Sequence, residues 1–285
     1  MQHGATTTQA TPHGGDDLPD EHDLGLAHDL AVLAEREAAV PLLARPFDRR
    51  RALRTIGGGA AAAIVLAACQ PSVTGGGLVA IPEETAGPYP GDGSNGPNVL
   101  ATSAVVRSDI RSSFGSLSGT ASGTKLTIKI KVLDVSDGGA VKPGAAVYLW
   151  HADRLGRYSL YSSGITDQNY LRGLQVVDAD GMVTFTSIFP GCYAGRWPHI
   201  HFEVYPSLAK ATSSASKIAT SQIAMPREPC AAVYAQSTYG SSARNFAATS
   251  ITTDNVFRDG YSHQIANVAG SVASGYTARL TMAVA

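Results

Sequence analysis

Residues 125–132 alternate between polar and apolar side chains, and this pattern constrains the fold more than any other feature of the sequence. The apolar positions are Leu126, Ile128, Ile130 and Val132. A period of two residues predicts a strand with one buried face, because successive side chains of a strand point to opposite sides of the sheet. Residues 276–284 repeat the pattern, which predicts a second strand of the same kind.

Further strands are predicted by short apolar runs that lie between turn-forming residues. These runs cover residues 145–150, 182–189, 199–205 and 217–225. No long helix is predicted after residue 70. Short strands separated by turns are typical of an all-β fold, and we expect an antiparallel β-sandwich with long loops that carry the functional site.

A segment that resembles an export signal precedes these strands. Asp48–Arg54 contains the consecutive arginines of a twin-arginine signal, and Ile56–Ala68 is weakly hydrophobic. This apolar run is shorter than the ~20 residues that span a membrane but has the length of a signal core. It ends at Leu66–Cys69, which resembles a lipobox with Cys69 as the lipidated residue. The alternative is a flexible linker that contains a buried cysteine.

The signal divides the chain into three predicted parts. Residues 1–69 form an N-terminal extension plus signal, residues 70–124 a tether and loop-rich lead-in, and residues 125–285 the β domain. The lead-in is expected to contribute to the site from about residue 81. Residues 1–47 are acidic, and they are either a long leading region of the signal or lie before the true start. We expect a cell-surface lipoprotein or a secreted protein whose membrane contact is limited to the lipid anchor.

The charge of the chain argues against binding to nucleic acid. The formal net charge is −1, and no run of Lys or Arg forms a stripe that could follow a phosphate backbone.

Two cysteines remain beyond Cys69, namely Cys192 and Cys230. An even pair in an exported protein is consistent with a disulfide. Such a bond would tie the segment before Tyr193 to a loop over residues 226–234. The alternative is that both residues are free buried thiols.

Residues 192–201 carry the side chains that point to a metal site. His199 and His201 are two residues apart on a predicted strand, so they face the same side and can share one ion. Tyr193 is a potential phenolate ligand, and Tyr158 offers a second one upstream. Two phenolates and two imidazoles suit a hard, high-valent ion such as Fe(III) better than Zn(II) or Cu(I).

Several segments, in the same order, resemble one known family. They are Thr85–Tyr89, Val147–Asp153, Gly156–Ser159, Leu171–Gly173, Asp180–Phe185, Phe189–Tyr193 and Arg196–His201. Together they span about residues 81–234 and are similar to the intradiol ring-cleavage dioxygenases. The series of two tyrosines and His-x-His, with an arginine three residues before the first histidine, is the most specific part of this resemblance.

The resemblance implies a non-haem Fe(III) centre and assigns its residues. The implied iron ligands are Tyr158, Tyr193, His199 and His201. Arg196 matches the active-site arginine of the family and is implied to act in both catalysis and substrate binding. Gln222 matches a glutamine that follows the His-x-His strand and is also implied to be catalytic, whereas Tyr89 falls in a substrate-facing loop.

The implied activity is the cleavage of catechols by O2 between their two hydroxyl-bearing carbons, which gives cis,cis-muconate-type products. Ala194 and Gly195 alone separate Tyr193 from Arg196, a shorter connection than in the cytoplasmic enzymes of the family. From this we expect a more open and shallower site.

Two alternatives to the enzyme remain at this stage. One is a non-catalytic β-sandwich lipoprotein that binds aromatics or glycans. The other is an adventitious Zn or Cu site that uses only His199 and His201, which leaves the two tyrosines without a role.

Overall fold

The structure is a computed structural model that describes residues 78–285. The predicted export signal at residues 48–68 and the lipidation of Cys69 lie outside the described residues. The division of the chain at residues 69 and 124 stays a prediction.

Eight strands form two four-stranded sheets in the described part of the chain. The first sheet has the order β4–β1–β8–β7 and the second the order β3–β2–β5–β6. The strands are β1 (Lys125–Asp134), β2 (Ala146–Trp150), β3 (Arg172–Val176), β4 (Met182–Ile188), β5 (His199–Tyr205), β6 (Ala219–Ala224), β7 (Asn267–Ser271) and β8 (Gly275–Val284). The prediction of a mostly β fold is confirmed.

One apolar core takes side chains from both sheets. The alternating residues of β1, such as Leu126 and Ile130, are buried in it together with Leu149 of β2 and Phe202 of β5. Burial of this surface is the main force that stabilises the fold. The period-two pattern of β1 is thus confirmed as a strand with one buried face.

The expectation of purely antiparallel sheets is wrong at one position. Strand β8 pairs with β1 in the parallel direction, with Leu126 opposite Tyr276 and Ile130 opposite Leu280, so the first sheet is mixed. Antiparallel pairing is the default for strands joined by a short turn. Strands β1 and β8 are separated by all the other elements, and no tight turn dictates their relative direction.

Two strands and two helices were not predicted. Strands β3 and β7 contain Gly, Gln, Asn and Ser, which have low strand propensity. Helix α1 (Arg227–Tyr234) replaces the predicted loop over residues 226–234, and helix α2 (Ser242–Ala247) follows it. Pro229 lies in the first turn of α1, where its missing N–H removes no intrahelical bond. Within residues 78–285, none of the helices has the length and apolar character that a membrane crossing requires.

The cysteine pair is not bridged. Cys192 and Cys230 are both free and buried, and they belong to the same apolar core. The predicted disulfide is therefore corrected to the alternative of two free thiols. Burial raises the pKa of Cys192 to about 12, which disfavours the thiolate needed for oxidation.

The lead-in segment covers the second sheet on the side that faces away from the shared core, which we call the outer face. Tyr148 and Trp150 of β2 point to this face and pack with Tyr89, Val99 and Leu100 of the lead-in. The outer face is consequently buried under residues 85–100 instead of being exposed to solvent. The predicted site residues lie beneath this cover.

Candidate metal centre

Strand β5 supplies both histidines of the candidate metal centre. His199 and His201 lie on the outer face, two residues apart. In the strand register His201 lies between Trp150 of β2 and Gln222 of β6. The Trp150 ring stacks on the His201 ring with centroids 4.9 Å apart and 6° between the planes, which fixes the orientation of the imidazole. The histidines are therefore held by a sheet, and only the two tyrosines of the set lie in loops.

Tyr158 follows a tight turn at the end of β2. Asp153 Oδ1 accepts hydrogen bonds from two backbone N–H groups of this turn, at 2.8 and 3.1 Å. Gly156 has a φ of 86°, a left-handed conformation that favours glycine, and a Cβ at this position would lie 3.0 Å from the Cβ of Tyr193. The glycine allows the two tyrosine-bearing segments to approach each other closely.

The four potential donor atoms lie close together. Tyr158 Oη is 3.3 Å from His199 Nε2 and 3.2 Å from His201 Nε2. Tyr193 Oη is 3.4 Å from His199 Nε2, and the two Nε2 atoms are 3.1 Å apart. Donors that share one ion through bonds of about 2.1 Å are separated by about 3.0–3.6 Å when the bond angles are roughly 90–120°. These separations fit one shared ion.

Both imidazoles are neutral in the folded protein. Burial and the charge of Arg196 lower the pKa of His199 to about 3. Burial and the neighbouring His199 lower the pKa of His201 well below its usual value. The carbonyl of Trp197 can only accept a hydrogen bond, so His199 Nδ1 is the donor and Nε2 carries a lone pair. This is the form of imidazole that binds a metal ion.

A metal site with three or more protein ligands at this position needs the tyrosines. In the described part of the chain, no group of three or more His, Cys, Asp or Glu side chains is placed to hold a metal ion. His151 is buried, with Nδ1 bonded to the carbonyl of Ala152 and Nε2 to Ser187 Oγ, so neither nitrogen is available as a ligand. These contacts give His151 a structural role.

Arg196 is held beside the donors by two buried side chains. Its Nη2 donates to Gln222 Oε1 at 2.7 Å, and its Nε donates to Asp254 Oδ2 at 3.0 Å. Asp254 Oδ2 also accepts from the backbone N–H of Trp197 at 2.7 Å. Burial alone would lower the pKa of Arg196, but Tyr193 and Asp254 raise it above its usual value. The guanidinium is therefore a permanent positive charge at the site.

Tyr89 and its loop form the cover of the site. The Tyr89 ring lies 5.1 Å from the ring of Tyr158. The backbone at Gly87 comes so close that a Cβ there would lie 3.3 Å from the ring of His201. All four donor residues are at most 6% exposed, as is Arg196. The burial of the donors does not fit the expectation of an open, shallow site, because the loop from the lead-in lies over Tyr158 and His201.

The structure brings together the nominated metal ligands, Arg196, Gln222 and Tyr89, and it adds Asp254. That aspartate lies 58 residues from Arg196 and belongs to none of the recognised motifs. Its sequence signal is weak: Asp254 Oδ1 accepts from the N–H of Val256, the local pattern that favours Asp in turns. Such turns are common, so the sequence offered no reason to connect this one with Arg196.

Comparisons with known proteins agree with the motifs. A family model described as Dioxygenase matches residues 95–213, a range that contains the four donors and Arg196 but neither Tyr89 nor Gln222. None of the curated proteins compared with the chain matches it.

Two solved structures share the fold, and a third is less similar. An intradiol ring-cleavage dioxygenase from Tetranychus urticae is 24% identical, with a TM-score of 0.53, over 64% of this chain and 88% of that one. A second dioxygenase structure is also 24% identical, with a TM-score of 0.57, over 73% of this chain and 94% of that one. The dioxygenase domain of a carbohydrate-binding fusion from Streptomyces sp. SirexAA-E is 22% identical, with a TM-score of 0.45, over 71% and 96%.

Residues 95–213 thus match a dioxygenase family model, and the described part of the chain shares the fold of solved intradiol ring-cleavage dioxygenases.

Proposed function

We propose that this protein is a non-haem Fe(III) intradiol dioxygenase that cleaves catechols with O2 between the two hydroxyl-bearing carbons, giving cis,cis-muconate-type products. The observation that carries the proposal is the placement of two tyrosine oxygens and two imidazole nitrogens at mutual distances of 3.1–3.4 Å. Phenolate oxygens are hard donors that favour Fe(III) over softer or less charged ions. A site for Zn or Cu built on the histidines alone would not need the tyrosines at these positions.

The chain would hold the ion and prepare it for the substrate through its own side chains. Tyr158, Tyr193, His199 and His201 are the proposed ligands, and the hydrogen bond from His199 Nδ1 to Trp197 keeps one imidazole in the metal-binding tautomer. When bound, Fe(III) supplies Lewis acidity toward a catecholate and makes the ring carbons reactive toward O2. Two tyrosinates would neutralise part of its charge in this buried environment.

Arg196 is the proposed catalytic cation. Its Nε and Nη2 are occupied by Asp254 and Gln222, and no hydrogen bond within residues 78–285 uses Nη1. We propose that this part of the guanidinium stabilises negative charge that develops on the substrate oxygen. Gln222 would orient the arginine, since its Nε2 in turn donates to the carbonyl of Thr85.

The loop around Tyr89 would bind the substrate and exclude water. Its position above Tyr158 and His201 leaves the donors almost completely buried. Exclusion of water strengthens the electrostatic effect of Arg196 and limits side reactions. We also infer that the two sheets form the predicted sandwich, which the shared core supports.

Iron loading and product analysis test this function. We expect the protein to become wine-red with Fe(III), because tyrosinate-to-iron charge transfer absorbs visible light, and to consume O2 with at least one of catechol, protocatechuate and hydroxyquinol. With ¹⁸O2, mass spectrometry should find both labelled atoms in a ring-opened dicarboxylate. A protein that stays colourless after iron loading contradicts the proposed centre. A coloured protein without O2 uptake on the panel favours the non-catalytic binding protein.

We further propose that the chain is exported through the signal at residues 48–68 and reaches the cell surface or the medium. The order of arginines, apolar run and Cys69 supports this proposal. The double substitution Arg49→Lys and Arg50→Lys should retain the protein in the cytoplasm, whereas Arg45→Lys should not, as fractionation and immunoblotting would detect. Export of the double variant at the wild-type level would contradict a twin-arginine signal.

A further inference from the structure

Arg172, at the start of β3, is a fully buried cation whose three nitrogens all donate hydrogen bonds. Nε donates to Ser159 Oγ at 3.1 Å, and Nη2 donates to the carbonyls of Ser159 at 2.8 Å and Tyr89 at 3.0 Å. Nη1 donates to the carbonyl of Pro90 at 2.8 Å and to Tyr148 Oη at 3.3 Å. No carboxylate forms an ion pair with Arg172 in the described part of the chain. Backbone carbonyls therefore provide most of the compensation for its charge.

Apart from Tyr148 Oη on β2, these acceptors belong to two separate segments of the site. Ser159 follows the proposed ligand Tyr158, whereas Tyr89 and Pro90 belong to the loop that covers the donors. The carbonyl of Ser159 is 69 or more residues away from those of Tyr89 and Pro90 in the chain, and one guanidinium joins all three. A planar fork with donors in fixed directions suits this task, whereas a lysine ammonium cannot reach all the acceptors at once.

The contacts around the guanidinium are tightly packed. The carbon at its centre lies 5.5 Å from the centroid of the Tyr161 ring, and Tyr161 Oη accepts from the N–H of Gly91 at 2.9 Å. A Cβ at Gly91 would lie 2.8 Å from Nη1 of Arg172, so only glycine allows the loop to come this close. The loop therefore contacts Arg172 both through hydrogen bonds and through close packing at Gly91.

The strand register links Arg172 to the metal centre. Arg172 lies opposite Trp150, which lies opposite His201, which in turn lies opposite Gln222. These four residues form one row across the second sheet, and paired residues of neighbouring strands share a face. The same rigid row therefore carries the anchor of the covering loop at one end and the partner of Arg196 at the other.

We infer that Arg172 is a positioning residue, which locks the Tyr89–Pro90 segment onto the Tyr158 segment and thereby sets the shape of the substrate cavity. This inference rests on the proposed dioxygenase function. Arg172 does not touch the reacting atoms, so its loss should impair binding of the catechol more than the chemical step.

The test compares Arg172→Lys with Arg107→Lys. Arg107 is a matched control, because its Nε and Nη2 also donate to a backbone carbonyl, that of Arg172, at 3.0 and 2.7 Å, yet it makes no contact with residues 89–90. We expect Arg172→Lys to raise KM for a catechol about tenfold or more, with kcat changed by less than about threefold and iron content unchanged. Hydrogen–deuterium exchange of peptides over residues 85–100 should become faster in Arg172→Lys and stay unchanged in Arg107→Lys.

A second variant covers the case in which Arg172→Lys does not fold. Ser159→Ala removes the hydroxyl that accepts from Arg172 Nε and leaves the carbonyl acceptors in place. It should therefore accelerate hydrogen–deuterium exchange over residues 85–100 and raise KM, both by less than Arg172→Lys does. Equal effects of the Arg172 and Arg107 substitutions, or unchanged exchange and KM in both site variants, would overturn the inference. If the wild-type protein turns over no catechol, the dioxygenase proposal fails, and the exchange measurement alone decides whether Arg172 anchors the loop.

Discussion

Replacing Tyr158 with phenylalanine should leave the protein folded and lower its affinity for iron by at least about 100-fold, since even changes outside the ligand set of metal sites cost 10–100-fold. Phenylalanine keeps the ring that packs against Tyr89 but removes the oxygen that lies 3.2 Å from His201 Nε2 and 3.3 Å from His199 Nε2. The visible absorption of the remaining iron should weaken as well, because one of the two tyrosinates is lost. Metal analysis and absorption spectra after equal exposure to Fe(III) measure both effects.

The matched control is Tyr234→Phe. Tyr234 is also buried, and its hydroxyl donates to the carbonyl of Pro190 at 2.9 Å, but this hydroxyl is not part of the donor set. This variant should bind iron as the wild type does. Wild-type iron content in Tyr158→Phe would reject this residue as a ligand.

The donor residues could be predicted from the sequence because each lies in a short motif. His199 and His201 need only a strand of period two to face the same side, and the structure places them on such a strand. Tyr193 is close to them in the sequence, and Tyr158 follows a turn whose glycine is visible in the motif. The family resemblance connects these motifs with one another from the sequence alone.

The long-range contacts of the site could not be predicted from short motifs and residue spacing. Asp254 binds Arg196 across 58 residues, and Arg172 joins segments that are far apart in the chain. The cover of the site also depends on how residues 85–100 fold back onto the second sheet. Local patterns report on the residues of one strand or turn, but these contacts are set by packing between elements.

The parallel direction of β8 could not be predicted for the same reason, because it depends on packing between distant elements. The alternation of residues 276–284 predicted a strand correctly, but a period of two is the same for parallel and antiparallel pairing. The unpredicted strands β3 and β7 gain their structure from neighbours and not from their own propensity. The role of Arg172 could therefore not be predicted, because it depends on the pairing of its strand β3 with β2.

Replacing Asp254 with alanine should give the largest loss of stability at the site. Arg196 and Asp254 form a buried pair at 3.0 Å, with side-chain exposures of 5% and 0%. Removal of one partner from a buried pair leaves an uncompensated charge and typically costs about 3–5 kcal/mol. The arginine would also lose its orientation, so kcat should fall by about 100-fold, the order of effect seen when one electrostatic contact in a catalytic site is removed. Urea unfolding and steady-state O2 uptake measure the two effects, and iron content should remain unchanged.

Asp254→Asn separates charge from packing. Burial alone would raise the pKa of Asp254, but Arg196 holds it below the usual 3.8. A carboxylate with a lowered pKa stabilises the fold above its unfolded-state pKa, and this contribution is lost as the pH falls through the folded-state value. The difference in unfolding free energy between wild type and Asp254→Asn should therefore be constant at neutral pH and shrink below about pH 4.

The exposed pair of Asp109 and Arg111 provides the control for the buried one. Their charged atoms are 2.7 Å apart, but the side chains of Asp109 and Arg111 are 51% and 41% exposed, so Asp109→Ala should cost less than about 1 kcal/mol and leave kcat unchanged. Equal costs for the two alanine substitutions would show that the contact between Asp254 and Arg196 is no stronger than a surface pair. Wild-type kcat in Asp254→Ala would leave two explanations: Arg196 keeps its place without the carboxylate, or Arg196 has no part in the reaction. The variant Arg196→Met decides between them, because kcat should fall on removal of the arginine only if the arginine is catalytic.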